Sequence, residues 1–274
     1  MADCENCPSK GTCNSKDGCT IKNNPYSHVK HVIGVMSGKG GVGKSTVSVL
    51  LAKALKQMGH AVGILDADIT GPSIPRLLGI RDAKLMQNEM GIIPAEADGI
   101  SVMSLNLLLP DERQPVIWRG PIISGTVKQF WEDVFWGELD FLIIDMPPGT
   151  GDVALTVMQS IPLSGMVIVT VPQDMVSMIV AKAVNMVKQL NIKLIGSVQN
   201  MSHLNCPHCG EAIRLYGETH EDFYDSMELK LLGELPMKPG LGAITDTGLG
   251  GMDDEVAAVM TSVGYQVKEA VWQQ

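Results

Sequence analysis

The chain has 274 residues, 45% of them hydrophobic and 19% charged, with a formal net charge of −9. That apolar content supplies a sizeable core, which excludes a disordered chain and a mini-protein held together by disulfides. The balance of 21 Lys and Arg against 30 Asp and Glu argues against broad nucleic-acid binding, because such binding rests on clustered cations.

Residues 1–24 read as a Cys-rich tail. Cys4, Cys7, Cys13 and Cys19 stand among Asn, Ser, Lys and Gly, three lysines balance three acids, and almost nothing aliphatic is available to bury. The segment lacks the basic and apolar regions of a secretory leader, and no apolar run in the chain approaches the ~20 residues of a membrane helix. A cytoplasmic protein with no membrane partner is expected. In a reducing compartment, closely spaced cysteines are metal ligands or redox groups more often than disulfides, so the tail reads as a possible Fe–S site. The plainer alternative is a disordered polar terminus.

Residues 25–274 read as one α/β domain. Val32–Met36 is a short apolar run, followed by a glycine-rich turn and then by Val47, Leu50, Leu51, Ala54, Leu55 and Met58 at helical spacing. Strand, loop and helix follow, Gly59 suits the helix C-terminus, and residues 61–65 make the next buried strand. Residues 141–144, 166–169 and 194–198 resemble further buried parallel strands. Residues 175–190 read as a helix, and Val256, Val259, Met260, Val263 and Val267 mark another near the end. The alternation predicts a three-layer, doubly wound, mostly parallel sheet with ligands at the carboxyl ends of its strands.

Between the first strand and helix lies Gly38-Lys39-Gly40-Gly41-Val42-Gly43-Lys44-Ser45, which fits the G-x-x-x-x-G-K-[ST] phosphate loop, or P-loop, in its required context. The glycines let backbone N–H groups wrap phosphate oxygens, and the helix N-terminus adds positive potential. Lys44 is placed to reach the β- and γ-phosphates, and Ser45 to coordinate Mg²⁺. Residues 38–46, ending at Thr46, form the expected ATP-binding loop. Lys39 exceeds what the loop needs. Two acidic segments directly follow apolar strands, Asp66 to Ser73 and Asp145 to Asp152. Asp145 is positioned to hold Mg²⁺, while Asp66 and Asp68 are expected to orient the attacking water and couple to a moving loop.

Cys206-Pro207-His208-Cys209-Gly210 follows the 194–198 strand. A C-x-x-C supplies two ligands, whereas a zinc site or a cubane cluster generally needs four. Either a two-fold dimer contributes the second pair, or the tail cysteines fold over in cis. A zinc half-site and a thioredoxin-like redox pair are the other readings. His203 and His208 read as solvated or hydrogen-bonded residues rather than ligands.

The loop with its extra Lys39 resembles the deviant Walker A motif of the MinD, ParA, nitrogenase iron protein and Mrp/ApbC families. Residues 68–73, 117–121, 136–140, 145–152, 200–202 and 206–210 look like the Mrp/ApbC iron–sulfur carrier ATPases in particular. The resemblance implies that Lys39 reaches the partner's nucleotide across a homodimer and that Asn200 helps recognise adenine. It also implies that Cys206 and Cys209 from two subunits share a [4Fe–4S] cluster. The tail spacing, C-x2-C-x5-C-x5-C, departs from the related tails. Residues 214–218 depart from the Gly-rich stretch usual after the C-x-x-C.

The expected function is an ATP-hydrolysing carrier that receives a cluster from scaffold proteins and passes it to apo-proteins, with Lys39, Lys44 and Asp68 catalytic. An ATP-driven electron-transfer protein and a cluster-assembly scaffold with negligible ATPase are the alternatives. A positioning ATPase is disfavoured because residues 264–271 carry one cation and one anion, not a basic amphipathic face.

Overall fold

The structure is a computed structural model describing residues 22–272, apart from 69–70, 72, 82, 84, 109–119, 173, 217–220, 239–240, 242–243, 246–247 and 250–251. Its main sheet is built from β1 (His28–Ser37), β2 (Val62–Asp66), β3 (Ala95–Ala97), β4 (Ile100–Ser104), β5 (Glu138–Asp145), β6 (Gly165–Thr170), β7 (Leu194–Gln199) and β8 (Leu231–Glu234). In space the order is β8-β7-β6-β1-β5-β2-β4-β3. All neighbours are parallel except β3, which pairs antiparallel with β4 at the edge.

The central strands are apolar on both faces because both are covered, as parallel sheets require. Ile33, Met36, Ile64, Leu65 and Phe141 are fully buried. The principal helices are α1 (Lys44–Gln57), α2 (Gly120–Asp133), α3 (Asp152–Ser160), α4 (Asp174–Gln189) and α5 (Asp254–Trp272). Helices α1 and α5 pack together, and α4 packs on β6, β7 and β1. From β1 the chain first moves towards β2, but from β6 it moves the other way, so right-handed crossovers place α1 and α4 on opposite faces.

This reversal sets the position of the site. β1 lies between β5 and β6, where the winding changes direction, and the loop after β1 therefore opens into the crevice at the strands' carboxyl ends. The five strands and three helices read from the sequence are all present, with ends shifted by up to four or five residues. Strands β3, β4 and β8 and helices α2 and α3 were not anticipated. β4, Ile-Ser-Val-Met-Ser, mixes polar with apolar residues, yet four of its five residues are buried.

The four tail cysteines, Cys4, Cys7, Cys13 and Cys19, lie outside the described residues. The tail's root is fixed at the opposite end of the sheet from the P-loop. Asn24, only 4% exposed, donates from Nδ2 to the Met90 carbonyl at 2.8 Å and accepts from the Tyr26 N–H at 2.9 Å. No helix among the described residues is long and apolar enough to cross a membrane.

Candidate nucleotide and cysteine sites

The P-loop is held from both sides. Ser37 Oγ donates to the Lys39 carbonyl at 2.9 Å, the Gly149 N–H donates to the Ser37 carbonyl at 2.8 Å, and Asn200 Nδ2 donates to the Val42 carbonyl at 2.9 Å. Gly43 precedes α1 with φ 82°, and the first turn of α1 carries no acidic residue. Its orphan N–H groups and dipole thus face the loop without an internal counter-anion, an arrangement suited to phosphate.

A Cβ on Gly43 would lie 2.2 Å from Asn200 Nδ2, in addition to the unfavourable φ. Gly43→Ala therefore stores on the order of 1–3 kcal/mol of strain in the loop, and nucleotide affinity measured by calorimetry is expected to fall by about 10- to 100-fold.

Lys44 is 6% exposed and lies among carboxylates, with Nζ 2.8 Å from Asp145 Oδ2 and 3.7 Å from Asp68 Oδ2. Asp145, fully buried at the end of β5, also accepts from Ser45 Oγ at 2.6 Å and from Ser48 Oγ at 2.7 Å. A hydroxyl and a carboxylate in contact are the hard oxygen donors that Mg²⁺ prefers, and Ser45 with Asp145 fits that ion. Ser48 had no sequence signal; its place one helical turn after Lys44 was the available clue.

Asp66 differs from the expectation. It is 1% exposed, and its carboxylate is bonded to the protein on both oxygens. Its Oδ1 accepts from the Asp68 N–H at 3.2 Å. Its Oδ2 accepts from the N–H groups of Ser73 and Ile74, at 3.2 and 3.3 Å, and from Ser104 Oγ at 3.1 Å. Asp66 thus clasps both ends of the 68–73 loop, leaving Asp68 nearer the opening. Burial, and then the neighbouring Asp145 charge, push the Asp66 carboxyl up to about 8.

A raised carboxyl holds its proton in the folded protein while the unfolded chain releases it above about pH 4. Its contribution to stability is complete below that pH and is lost as pH rises towards 8. Asp66→Asn is expected to remove this slope, so that nucleotide-free variant and wild type converge in acid while the variant melts higher at pH 8. Thermal melts across pH 5–8 check it.

Cys206 and Cys209 occupy a knuckle at the tip of a small hairpin, Leu204–Asn205 paired with Ala212–Ile213. The Cys206 N–H donates to the Glu211 carbonyl, and the Gly210 N–H to the Cys206 carbonyl, both at 2.9 Å. Gly210 closes the turn at φ 76°. Both cysteines are free, Cys206 half-buried and Cys209 exposed. The backbone N–H groups of Cys209 and then His208 donate to the Cys206 sulfur and lower its thiol below the ordinary range, favouring thiolate. Among the described residues no group of three or more His, Cys, Asp or Glu could hold a metal. The knuckle presents two sulfur ligands, where a zinc site or a cubane cluster generally needs four.

His203 is hydrogen-bonded, its Nδ1 2.8 Å from Ser202 Oγ. Lys39 sits half-buried in the P-loop, and Asn200, 6% exposed, lies against it rather than in a distant loop. Residues 69–70, 72 and 117–119 lie outside the described residues.

A family model described as ParA, NUBPL iron-transfer P-loop NTPase, matches residues 28–271. The iron–sulfur cluster carrier protein of Methanocaldococcus jannaschii is 46% identical over 255 residues, covering 90% of this chain and 88% of that protein. Its counterpart in Clostridium perfringens is 45% identical over 265 residues, covering 90% and 93%. A solved nucleotide-binding protein from Archaeoglobus fulgidus, in complex with ADP, aligns with TM-score 0.68 and 37% identity, over 90% of this chain and 91% of that one. The cell-division ATPase MinD of Pyrococcus furiosus aligns at TM-score 0.61 and 20% identity, over 88% and 99%, and shares the fold.

Proposed function

Because the chain belongs to the NUBPL iron-transfer P-loop NTPases of the ParA class, we propose that it is an ATP-hydrolysing, cytoplasmic iron–sulfur cluster carrier. It acts as a homodimer, takes a [4Fe–4S] cluster from scaffold proteins at the two-fold seam and delivers it to apo-proteins. The observation that carries this reading is a thiolate-favouring two-cysteine knuckle that follows a strand at the same carboxyl end of the sheet as the P-loop, the two joined through Asn200. Two such knuckles across a two-fold axis supply the four thiolates a cubane cluster needs.

The tail cysteines, Cys4, Cys7, Cys13 and Cys19, are assigned a separate Fe–S site.

Residues 38–46 bind the nucleotide, with Asn200 placed against the loop for adenine. Lys44 neutralises charge on the β- and γ-phosphates, Lys39 pairs with the γ-phosphate across the dimer, and Asp68 positions the water that converts ATP to ADP and phosphate. Mg²⁺, held by Ser45 and Asp145, supplies charge neutralisation on the phosphates. Hydrolysis is slow and coupled to cluster loading or release. The net charge of −9 and the balanced residues 264–271 assign it neither a nucleic-acid nor a membrane partner.

Anaerobic reconstitution with iron and sulfide tests the reading. With the four tail cysteines changed to serine, the expected yield is one [4Fe–4S] cluster per two chains, in a species that sediments as a dimer. Monomers that each hold one zinc ion, or a dimer without sulfide, would refute it.

A further inference from the structure

Six peptide steps separate Asn200, on the P-loop, from Cys206, and this strap is tied along its length. The Asn200 N–H donates to the Thr170 carbonyl at 2.8 Å. Ser202 donates to the Leu235 carbonyl from its N–H at 2.9 Å and from Oγ at 3.0 Å. The Met237 N–H donates to the His203 carbonyl at 2.6 Å. Asn205 Nδ2 then lies 3.2 Å from both carboxylate oxygens of Glu255, and His203 Nε2 lies 3.8 Å from the same group.

Glu255 belongs to the first turn of α5, where Lys238 pairs with both Glu255 and Asp253. Helix α5 packs along α1, which begins at the P-loop. The strap is therefore referred to α1 twice, through Asn200 on the Val42 carbonyl and through Glu255 on α5. Movement of the P-loop relative to α5 displaces these anchors with respect to each other, and the knuckle beyond Asn205 must turn. Met201 provides the pivot, since it holds φ 54°, a left-handed conformation that side chains other than glycine disfavour.

We propose that Glu255, through Asn205, is a positioning residue that couples nucleotide occupancy to the presentation of Cys206 and Cys209. Its consequence for cargo rests on the carrier reading above, but the coupling itself is measured without a cluster. Alkylation of the full-length, cluster-free, reduced protein by N-ethylmaleimide is followed by mass spectrometry of the Cys206 and Cys209 peptides, with and without Mg·ATP.

In the wild type the nucleotide is expected to change the Cys206 rate by about fivefold or more. Glu255→Ala and Asn205→Ala each bring that ratio close to one, and the double variant goes no further. Glu255→Gln, which keeps an acceptor for Asn205, restores most of the effect, and nucleotide affinity in all variants stays within about twofold of wild type. Because Asp253 still accepts the Val256 N–H at 3.0 Å, Glu255→Ala retains the cap of α5, and Asn205→Ala tests the contact from its other side. A wild type without nucleotide dependence, or a full effect in both single variants, overturns the proposal. Coupling in a chain that takes up no cluster refutes the carrier reading alone, and cluster uptake without coupling refutes this inference alone.

Discussion

Cys206→Ala is expected to abolish the cluster proposed to be shared between two subunits. The variant leaves one thiolate per subunit, two where a cubane needs four, and the lost ligand is the thiol that the knuckle's N–H groups favour as thiolate. In a chain whose tail cysteines are serine, anaerobic reconstitution is expected to leave no [4Fe–4S] absorbance and no more than background iron and sulfide. Fold stability changes little, because the cysteine sits at the tip of an exposed hairpin, and surface substitutions usually fall within about 0.5 kcal/mol. Cys209→Ala has the same effect on the cluster. Full absorbance in either variant would place the cluster elsewhere. A Cys206→Ala protein that still binds nucleotide as wild type separates cargo loss from misfolding.

Lys44→Ala is expected to lower ATP turnover by at least about 10²- to 10³-fold, the range found when one preorganised donor to developing charge is removed. The same change leaves the buried Asp145, with Asp66 and Asp68 beside it, without the cation 2.8 Å away. Buried carboxylates without a countercharge repel one another, so the empty variant is less stable than wild type. Mg·ATP would not restore wild-type stability. Steady-state phosphate release and thermal melts measure both effects. Unchanged turnover would remove Lys44 from catalysis.

The phosphate loop was legible because its chemistry is local: glycines, a lysine and a serine at fixed spacing between a strand and a helix announce their own context. The central strands were legible because burial on both faces leaves continuous apolar runs such as Phe141–Ile144. What stayed hidden depends on contacts distant in sequence. Asp66 and Asp68 look equivalent in an Asp-Ala-Asp triplet, yet the strand ends at Asp66 and the donors Ser73, Ile74 and Ser104 hold its carboxylate inward as a clasp. Ser48 gains meaning only through Asp145, 97 residues away. Glu255 reads as an ordinary acidic residue in a helix's first turn, and only the fold brings Asn205 to it. Strand β4 was missed because Ser101 and Ser104 interrupt its apolar run, and the burial of Ser104 follows from its bond to Asp66, 38 residues away.

The carrier account is tested most directly by transfer. Full-length protein reconstituted anaerobically is mixed with apo-aconitase in the presence of a chelator that captures free iron, with and without Mg·ATP. The account predicts that acceptor activity returns as the carrier's absorbance is lost, at a rate that Mg·ATP changes and the Lys44→Ala variant does not reproduce. A cluster that stays on the chain and undergoes only reduction and oxidation, or an acceptor that remains inactive, would contradict it.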